Sequence, residues 1–296
     1  MMESGVFDPR WTARLAPLSF HPRGPAEGPR VGRHESHRRG RAGDFLDRRA
    51  YAPGDDRRRI DWTVFARTDR WTVREEREDT NLRASLLLDV SPSMTFSADG
   101  RGTKLRYGAG LLAALAFVLH HGREAAGVGF FDRALLSFQT PQTGNDVLSR
   151  LFAQLQHPPT GAPGCFQDSF REFRSRWRGR GAVVVVSDFL GPLDDILSGF
   201  RLLCAGGLDV SALQVLDPVE LDLAFQGNRR FQDLETGDLI RGDPAVMAES
   251  YARIMAARQS ALSRGMAALG VDYQRFITKQ PVDEAVATFL HRRAAR

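Results

Sequence analysis

Cysteine and lysine are both scarce in this chain of 296 residues. Its two cysteines, Cys165 and Cys204, are too few for a disulfide framework and form no zinc-type cluster, which is typical of a reducing cytoplasm. Only two lysines occur, so nearly all of the 41 basic residues are arginine. The longest apolar stretch, residues 105–119, is too short to cross a bilayer. We therefore expect a soluble, cytoplasmic protein.

Composition divides the chain into three parts. Residues 1–43 are rich in Pro, Gly and Arg without periodicity, which is typical of an extended, partly flexible arm. Residues 44–83 carry aromatic and β-branched runs at 60–67 and 71–76, which predict a small β-rich subdomain. Residues 84–296 alternate strand and helix patterns, so we predict an α/β domain with a doubly wound, mostly parallel sheet.

The elements of the α/β domain are predicted from apolar runs, caps and turn residues. Predicted strands cover 84–88, 127–131, 134–138, 183–186, 210–216 and 271–277, with a hairpin over 230–241. Predicted helices cover 104–121, 145–155, 166–178, 193–204, 244–269 and 282–291.

Two aspartates stand directly after predicted buried strands. Asp89 opens the sequence Asp89-Val90-Ser91-Pro92-Ser93, and Asp188 follows the valine run 183–186. In a sheet of order 3-2-1-4-5-6 the first and fourth strands are neighbours, so both carboxylates would face one crevice. Carboxylates and hydroxyls are the hard ligands that Mg²⁺ or Mn²⁺ prefers. We predict a cation site there, formed by Asp89, Ser91, Ser93 and Asp188.

Two interpretations of the 89–93 turn stay open. Serine hydroxyls are neutral and leave the charge of a bound cation poorly neutralised, so the ion would attract a carboxylate from a partner protein. Alternatively, the Asp and Ser side chains cap the turn by hydrogen bonding to the backbone. Asp188 favours the cation site without excluding the cap.

The order of several short motifs resembles two known families. Asp89-Val90-Ser91-Pro92-Ser93 resembles the DxSxS of von Willebrand factor A domains, whose metal-ion-dependent adhesion site binds Mg²⁺. Upstream stand Gly43-Asp44-Phe45, Arg49-Ala50-Tyr51, Pro53-Gly54-Asp55-Asp56, Arg59-Ile60-Asp61-Trp62 and Ala66-Arg67, and downstream stand Ser187-Asp188-Phe189-Leu190 and Glu235-Thr236-Gly237. The ordered set, from about residue 30 to the C-terminus, resembles the bacterial family called domain of unknown function fifty-eight.

The resemblance implies partnership with a MoxR-type AAA+ ATPase in chaperone-like maturation of other proteins. Together with the cation site, it predicts a non-enzymatic binding protein whose partner, the ATPase, a client protein or both, has an exposed carboxylate. No small-molecule substrate is expected. Most upstream Asp and Arg residues are expected to form structural ion pairs. Contact with the partner is the alternative for Arg49, Asp55, Asp56, Arg59, Asp61 and Arg67.

One position departs from the adhesion-site pattern. The family pattern places a Thr ligand near Cys165, and a thiol is a poor ligand for Mg²⁺. Thr160 lies five residues earlier and is the candidate to replace it. The resemblance therefore implies Mg²⁺ or Mn²⁺ that is weakly held, or lost.

Two other functions stay as alternatives. An Asp after the first strand could accept a phosphoryl group, although position 91 is Ser where such enzymes use a second acid, and lysine is nearly absent. The N-terminal third could bind nucleic acid, because residues 1–83 contain 18 Arg and 14 acidic residues, a net charge of +4 (18 − 14). The interspersed acids weaken that alternative.

Overall fold

The structure is a computed structural model that describes residues 5–23, 47–50, 64, 67–68, 70–75, 82–100, 102–159, 161–162, 165–223, 229–235 and 237–295. The described residues form two compact units. One lies within residues 1–25 and 82–296, and the other within residues 26–81. Each unit is described by itself.

The smaller unit contains an antiparallel pair of strands, β1 (Asp47–Ala50) and β2 (Thr72–Glu75). β2 confirms the strand predicted from the run 71–76. The strand predicted over 60–67 is wrong for its described residues, which are helical. The hydroxyl of Thr68 donates to the carbonyl oxygen of Val64 over 2.9 Å, the contact with residue i−4 that Thr makes in helices.

The larger unit is built on a mixed sheet of six strands. Its strands are β3 (Arg83–Asp89), β4 (Ala125–Phe131), β5 (Leu135–Phe138), β6 (Ala182–Ser187), β7 (Asp209–Leu216) and β10 (Asp272–Ile277). They lie in the order β10-β7-β6-β3-β4-β5, with β5 antiparallel to β4 and the other neighbours parallel. A separate antiparallel hairpin is formed by β8 (Arg229–Gln232) and β9 (Leu239–Gly242).

Eight α-helices are formed by the described residues. They are α1 (Thr12–Leu15), α2 (Lys104–His121), α3 (Asn145–Gln156), α4 (Phe166–Arg176), α5 (Leu193–Cys204), α6 (Val219–Asp222), α7 (Pro244–Ala268) and α8 (Val282–Ala294). The predicted α/β class is confirmed, and most predicted element ends agree within two residues. Within the described ranges, no helix combines the length and apolar character needed to span a membrane.

Alternate residues of the central strands enter two separate hydrophobic cores. In β3, Leu86 and Leu88 join a core with α2, α3 and α8, whereas Leu87 joins a core with α4 and α5. The valine run of β6 divides in the same way, and all four valines are fully buried. Helices therefore cover both faces of the sheet, which explains why these strands are apolar without alternation.

The first described segment, residues 5–23, differs from the predicted flexible arm. Leu15 is fully buried, Phe20 is 6% exposed, and both belong to the core beside α2 and α8. The guanidinium of Arg293 lies over the Phe20 ring at 4.3 Å. Irregularly spaced apolar residues pack this segment onto the α/β unit, and sequence periodicity does not detect them.

Candidate functional site

The two aspartates predicted to converge do lie together. β3 pairs with β6 in parallel, with Leu88 opposite Val186, so the carboxyl ends of both strands reach the same edge. Asp89 and Asp188 are 4% and 2% exposed. The hydroxyl of Ser187 donates to Oδ2 of Asp89 over 2.6 Å and ties the two strand ends together. The predicted convergence is confirmed, and the metal-binding role stays a prediction.

The turn after Asp89 gathers the predicted hydroxyls. The Ser91 N–H donates to Oδ1 of Asp89 over 2.9 Å, which is the backbone cap that the sequence left open. The hydroxyls of Ser91 and Ser93 lie 3.2 Å apart. A Cβ at Gly161 would overlap the carbonyl oxygen of Val90, so a following loop packs tightly against this turn. Thr160, the candidate fifth ligand, lies outside the described residues.

The carboxylate of Asp89 is in an environment that opposes its charge. Burial and the nearby charge of Asp188 raise the pKa of Asp89 to about 7, and hydrogen bonds from Ser187 and Ser91 oppose that rise only in part. Among the described residues, no Lys, Arg or His makes an ion pair with Asp89. A proton or a cation would relieve this charge.

Lys104 is a residue of the site that the sequence reasoning missed. It is fully buried in the first turn of α2, where its Nζ donates to Oδ2 of Asp188 over 2.8 Å and to Oε1 of Glu220 over 2.5 Å. Burial lowers the pKa of Lys104, but the charges of Asp188 and Glu220 outweigh it, so the pKa is raised above its ordinary value. The ammonium group is therefore charged.

Two sequence signals could have pointed to Lys104. It is one of two lysines in a chain that otherwise uses arginine. It also stands directly after Thr103, which caps α2 by accepting the Arg106 N–H, and the first turn of a helix disfavours a cation. A lysine in that position needs an acidic partner.

The loop after β6 is held in a specific conformation. Phe189 adopts a left-handed backbone with φ of +50°, which is uncommon for a large residue. Arg258 of α7 donates to the carbonyl oxygen of Phe189 over 2.8 Å and also to that of Gly191. Gln214 donates to the carbonyl oxygen of Asp188 over 2.7 Å. These bonds fix where Asp188 presents its carboxylate.

Cys165, at the predicted Thr position, has other partners in the described structure. Its thiol donates to Oδ1 of Asp195 over 3.3 Å and to Oδ2 of Asp168 over 3.6 Å, and burial raises its pKa. Asp132, buried at the end of β4, instead holds the neighbouring loop by accepting the Ala162 N–H over 2.7 Å. The thiol of Cys165 is therefore bound to local acids beside the first turn of α4.

The site forms the floor of a large acidic cavity. Its volume is about 1080 Å³. Its lining includes seven acidic residues, Asp89, Asp132, Asp188, Glu220, Asp233, Glu235 and Asp238, and two basic ones, Arg230 and Arg258. The hairpin β8–β9 contributes three of the acids, and Oε1 of Glu235 accepts the Ser93 N–H over 3.0 Å. A cavity of this charge favours a cation.

The donor set fits a hard cation in type and placement. Two carboxylates and two hydroxyls meet at one turn, and such oxygens suit Mg²⁺ or Mn²⁺. Within the described residues, no three His, Cys, Asp or Glu side chains are grouped for metal binding, so the hydroxyls would have to act as ligands. Lys104 already neutralises part of the Asp188 charge, which argues for modest affinity.

The predicted partner-contact residues belong to the smaller unit. The backbone of Arg49 lies in β1, and Arg67 is helical and exposed. Asp55, Asp56, Arg59 and Asp61 lie outside the described residues, as does most of the arginine-rich region considered for nucleic-acid binding. Their roles stay predictions.

Comparison with known proteins places the chain among uncharacterized relatives. A family model described as "Protein of unknown function DUF58" matches residues 47–261. Uncharacterized proteins of Mycobacterium tuberculosis and Mycobacterium bovis are each 30% identical over 276 residues, which cover 91% of this chain and 86% of the relative. An uncharacterized protein of Mycobacterium avium is 31% identical over 125 residues, covering 42% of this chain and 73% of that protein.

Two solved structures are similar over most of the chain. The conserved hypothetical protein BatB from Bacteroides thetaiotaomicron is 16% identical with a TM-score of 0.48. The matched region covers 73% of this chain and 100% of the BatB chain. An aerotolerance-related membrane protein from Bacteroides fragilis is 17% identical with a TM-score of 0.46, with the same shares covered.

Proposed function

This chain belongs to the DUF58 family, and from that premise we propose that it is a non-enzymatic protein–protein interaction module with a metal-ion-dependent adhesion-type site. The observation that carries the proposal is the grouping of Asp89, Ser91, Ser93 and Asp188 on the floor of an open acidic cavity. Asp89 has no cationic side chain as an ion-pair partner among the described residues, so a bound cation would stabilise its carboxylate in the ionised form.

The finer fold description is part of the same proposal. We regard the sheet as doubly wound and mostly parallel, like that of von Willebrand factor A domains. Numbering its strands along the chain gives the order 6-5-4-1-2-3, and the first and fourth strands carry Asp89 and Asp188. The winding changes direction between these two strands, which is where ligands bind in such sheets.

Mg²⁺ or Mn²⁺ would be held by Asp89, Ser91, Ser93 and Asp188, with Thr160 as a predicted further ligand. A cation with two neutral hydroxyl ligands supplies attraction for a carboxylate of another protein. The floor is fixed by backbone hydrogen bonds, so it presents this binding position without rearrangement. Such a site recognises an exposed Asp or Glu on the surface of a partner.

The proposed partner is a MoxR-type AAA+ ATPase, a client protein of that ATPase, or both, acting in chaperone-like maturation of other proteins. The resemblance of the ordered sequence motifs supports this choice. The cavity supports a protein ligand in general, since it is wide, open and ringed by side chains of α6, α7 and the hairpin β8–β9.

Affinity capture with the full chain tests the proposal. Wild-type protein in Mg²⁺ should retain an AAA+ ATPase or its client from native cells, and chelator or Asp89→Ala should lower the retained amount at least tenfold. Asp168→Ala is the matched control, because Asp168 is an exposed acid outside the cavity lining that pairs with Arg171 on the same helix. Capture that is unchanged by Asp89→Ala in a folded protein contradicts this mechanism.

One observation favours the phosphotransfer alternative. Lys104 beside Asp188 supplies the lysine that the sequence reasoning found lacking. Its ammonium group is already bound by two carboxylates, and both oxygens of Asp89 accept hydrogen bonds, which makes that carboxylate a poorer nucleophile. Steady phosphate release by the purified chain, abolished by Asp89→Asn, is the result that would favour the enzyme.

A further inference from the structure

The hairpin β8–β9 places one of its own carboxylates, that of Glu235, in the acidic cavity. Oε1 of Glu235 accepts the N–H of Ser93, within the same turn that carries the two hydroxyls. This hydrogen bond joins residues 142 positions apart in the chain. The carboxylate therefore reaches the site from a separate element and not from the local turn.

Hydrogen bonds within the hairpin turn orient Glu235. The side chain of Asp233 accepts the Glu235 N–H over 2.7 Å, and the Gly237 N–H donates to the Asp233 carbonyl oxygen over 2.9 Å. Gly237 has φ of +81°, which a glycine adopts at no steric cost. The turn projects Glu235 towards Ser93 while Leu234, the preceding residue, is 43% exposed.

The described hairpin residues lie outside the six-stranded sheet and its cores. None of its described side chains is buried, and Leu239 is 55% exposed. Its two strands pair with each other and not with the six-stranded sheet. A two-stranded hairpin is marginally stable by itself, and segments with few buried contacts open with little free energy. Displacement of Glu235 by another carboxylate would therefore leave the pairing of the six-stranded sheet intact.

Charge makes the placement of Glu235 informative. Seven acids and two arginines line the same cavity, so a further carboxylate enters surroundings in which acids outnumber bases, and a bound cation would favour it. A partner's carboxylate meets the same conditions, because it would approach the same turn and the same acids. Glu235 thus shows what kind of group this cavity accepts.

We propose that Glu235 is an internal occupant of the recognition site, and that a partner binds by replacing it with a glutamate of its own, presented in a turn after an apolar residue. This inference rests on the proposed function and adds to it the chemistry of the partner. The partner's segment would resemble Leu234-Glu235 in its hairpin, and the resting protein would be partly self-blocked.

A synthetic probe tests this directly. The probe is a cyclised, fluorescent peptide with the sequence of residues 229–242, titrated by anisotropy in Mg²⁺ against full-length proteins. We expect the peptide to bind Glu235→Gln at least tenfold more tightly than wild type, and its Gln counterpart to bind neither. Glu249→Gln is the control, since it removes one charge at an exposed position of α7 outside the cavity lining and should bind within threefold of wild type.

A second measurement covers the case in which Glu235→Gln does not fold. Hydrogen exchange of the hairpin amides in the wild-type chain should accelerate at least fivefold when the Glu peptide saturates the protein, and should not respond to the Gln peptide. Equal peptide binding by both proteins, absence of peptide binding, or unchanged hairpin exchange overturns the inference.

The failure of this inference is distinguishable from that of the proposed function. If the peptide fails while partner capture still requires Asp89 and Mg²⁺, the internal occupant is wrong and the adhesion-type site stands. If capture does not require Asp89, both are wrong.

Discussion

Two buried ion clusters lie at opposite edges of the same sheet, and they differ in charge balance. At the carboxyl edge, Lys104 forms ion pairs with Asp188 and Glu220, whereas Asp89 has no ion pair among the described residues. At the amino edge, Asp209 and Asp272 begin β7 and β10 and are paired with Arg293 and Arg23.

The amino-edge cluster is balanced and closed. Arg293 donates to the Ser211 hydroxyl over 2.7 Å and to the His21 carbonyl oxygen over 3.0 Å, and its guanidinium lies over Phe20. Two cations match two carboxylates, and the segment containing His21 and Phe20 covers them. This cluster fastens the N-terminal segment and α8 to the sheet, and its charges require no ligand.

The carboxyl-edge cluster has an excess of negative charge and opens into the cavity. Burying a charge without an ion-pair partner costs free energy of folding. Such groups are therefore found mainly at functional sites. The contrast shows that burial of acids does not by itself identify a site. The distinguishing features are a surplus carboxylate, an open cavity and neutral hydroxyls within reach.

The largest effect is expected from a substitution that breaks the amino-edge cluster. Arg293→Met removes the guanidinium that pairs with both Asp209 and Asp272, and breaking a buried ion pair costs about 3–5 kcal/mol. Urea unfolding should show this loss equally in Mg²⁺ and in chelator. Arg292→Met, at an exposed neighbouring position, should change stability by less than about 0.5 kcal/mol. A loss that Mg²⁺ restores would mean that this cluster also binds cations.

A smaller effect is expected at the carboxyl edge, where a metal ion can compensate. Lys104→Met removes the only cation bound to Asp188 among the described residues, and should cost about 3 kcal/mol in chelator. Mg²⁺ should restore roughly half of that stability, because a bound ion replaces part of the lost charge. Lys279→Met, the exposed lysine, is the control. Equal losses with and without Mg²⁺ would count against a cation site here.

The pH dependence of stability sharpens the comparison further. The pKa of Asp89 is raised to about 7 in the folded chain, against 3.8 as its ordinary value, so the folded state binds more protons between these values. In chelator, stability should therefore fall as pH rises from about 4 to 7. Asp89→Asn removes this fall, so it should stabilise the protein at pH 8, by up to about 4 kcal/mol for the full shift, and change stability little at pH 4. Parallel pH profiles for both proteins would show that Asp89 is not the responsible group.

The sequence was sufficient for the parts of the site that follow from strand order. Asp89 and Asp188 each end an apolar run, and neighbouring parallel strands bring such ends together. Lys104 could not be placed, because its partner Glu220 comes from the short helix α6, whose position depends on tertiary packing. The Glu235 contact was missed for the same reason, although the turn that carries it was predicted.

The smallest expected effect concerns the missing threonine. Cys165 donates to Asp195 and Asp168, so Cys165→Ala should leave Mg²⁺ affinity within about twofold, whereas Thr160→Ala should weaken it about fivefold if Thr160 is a ligand. Isothermal titration of Mg²⁺ into both variants measures the difference. A larger effect at Cys165 would show that Cys165 contributes to Mg²⁺ binding. The metal site would then include a residue that the order of the strands alone does not predict.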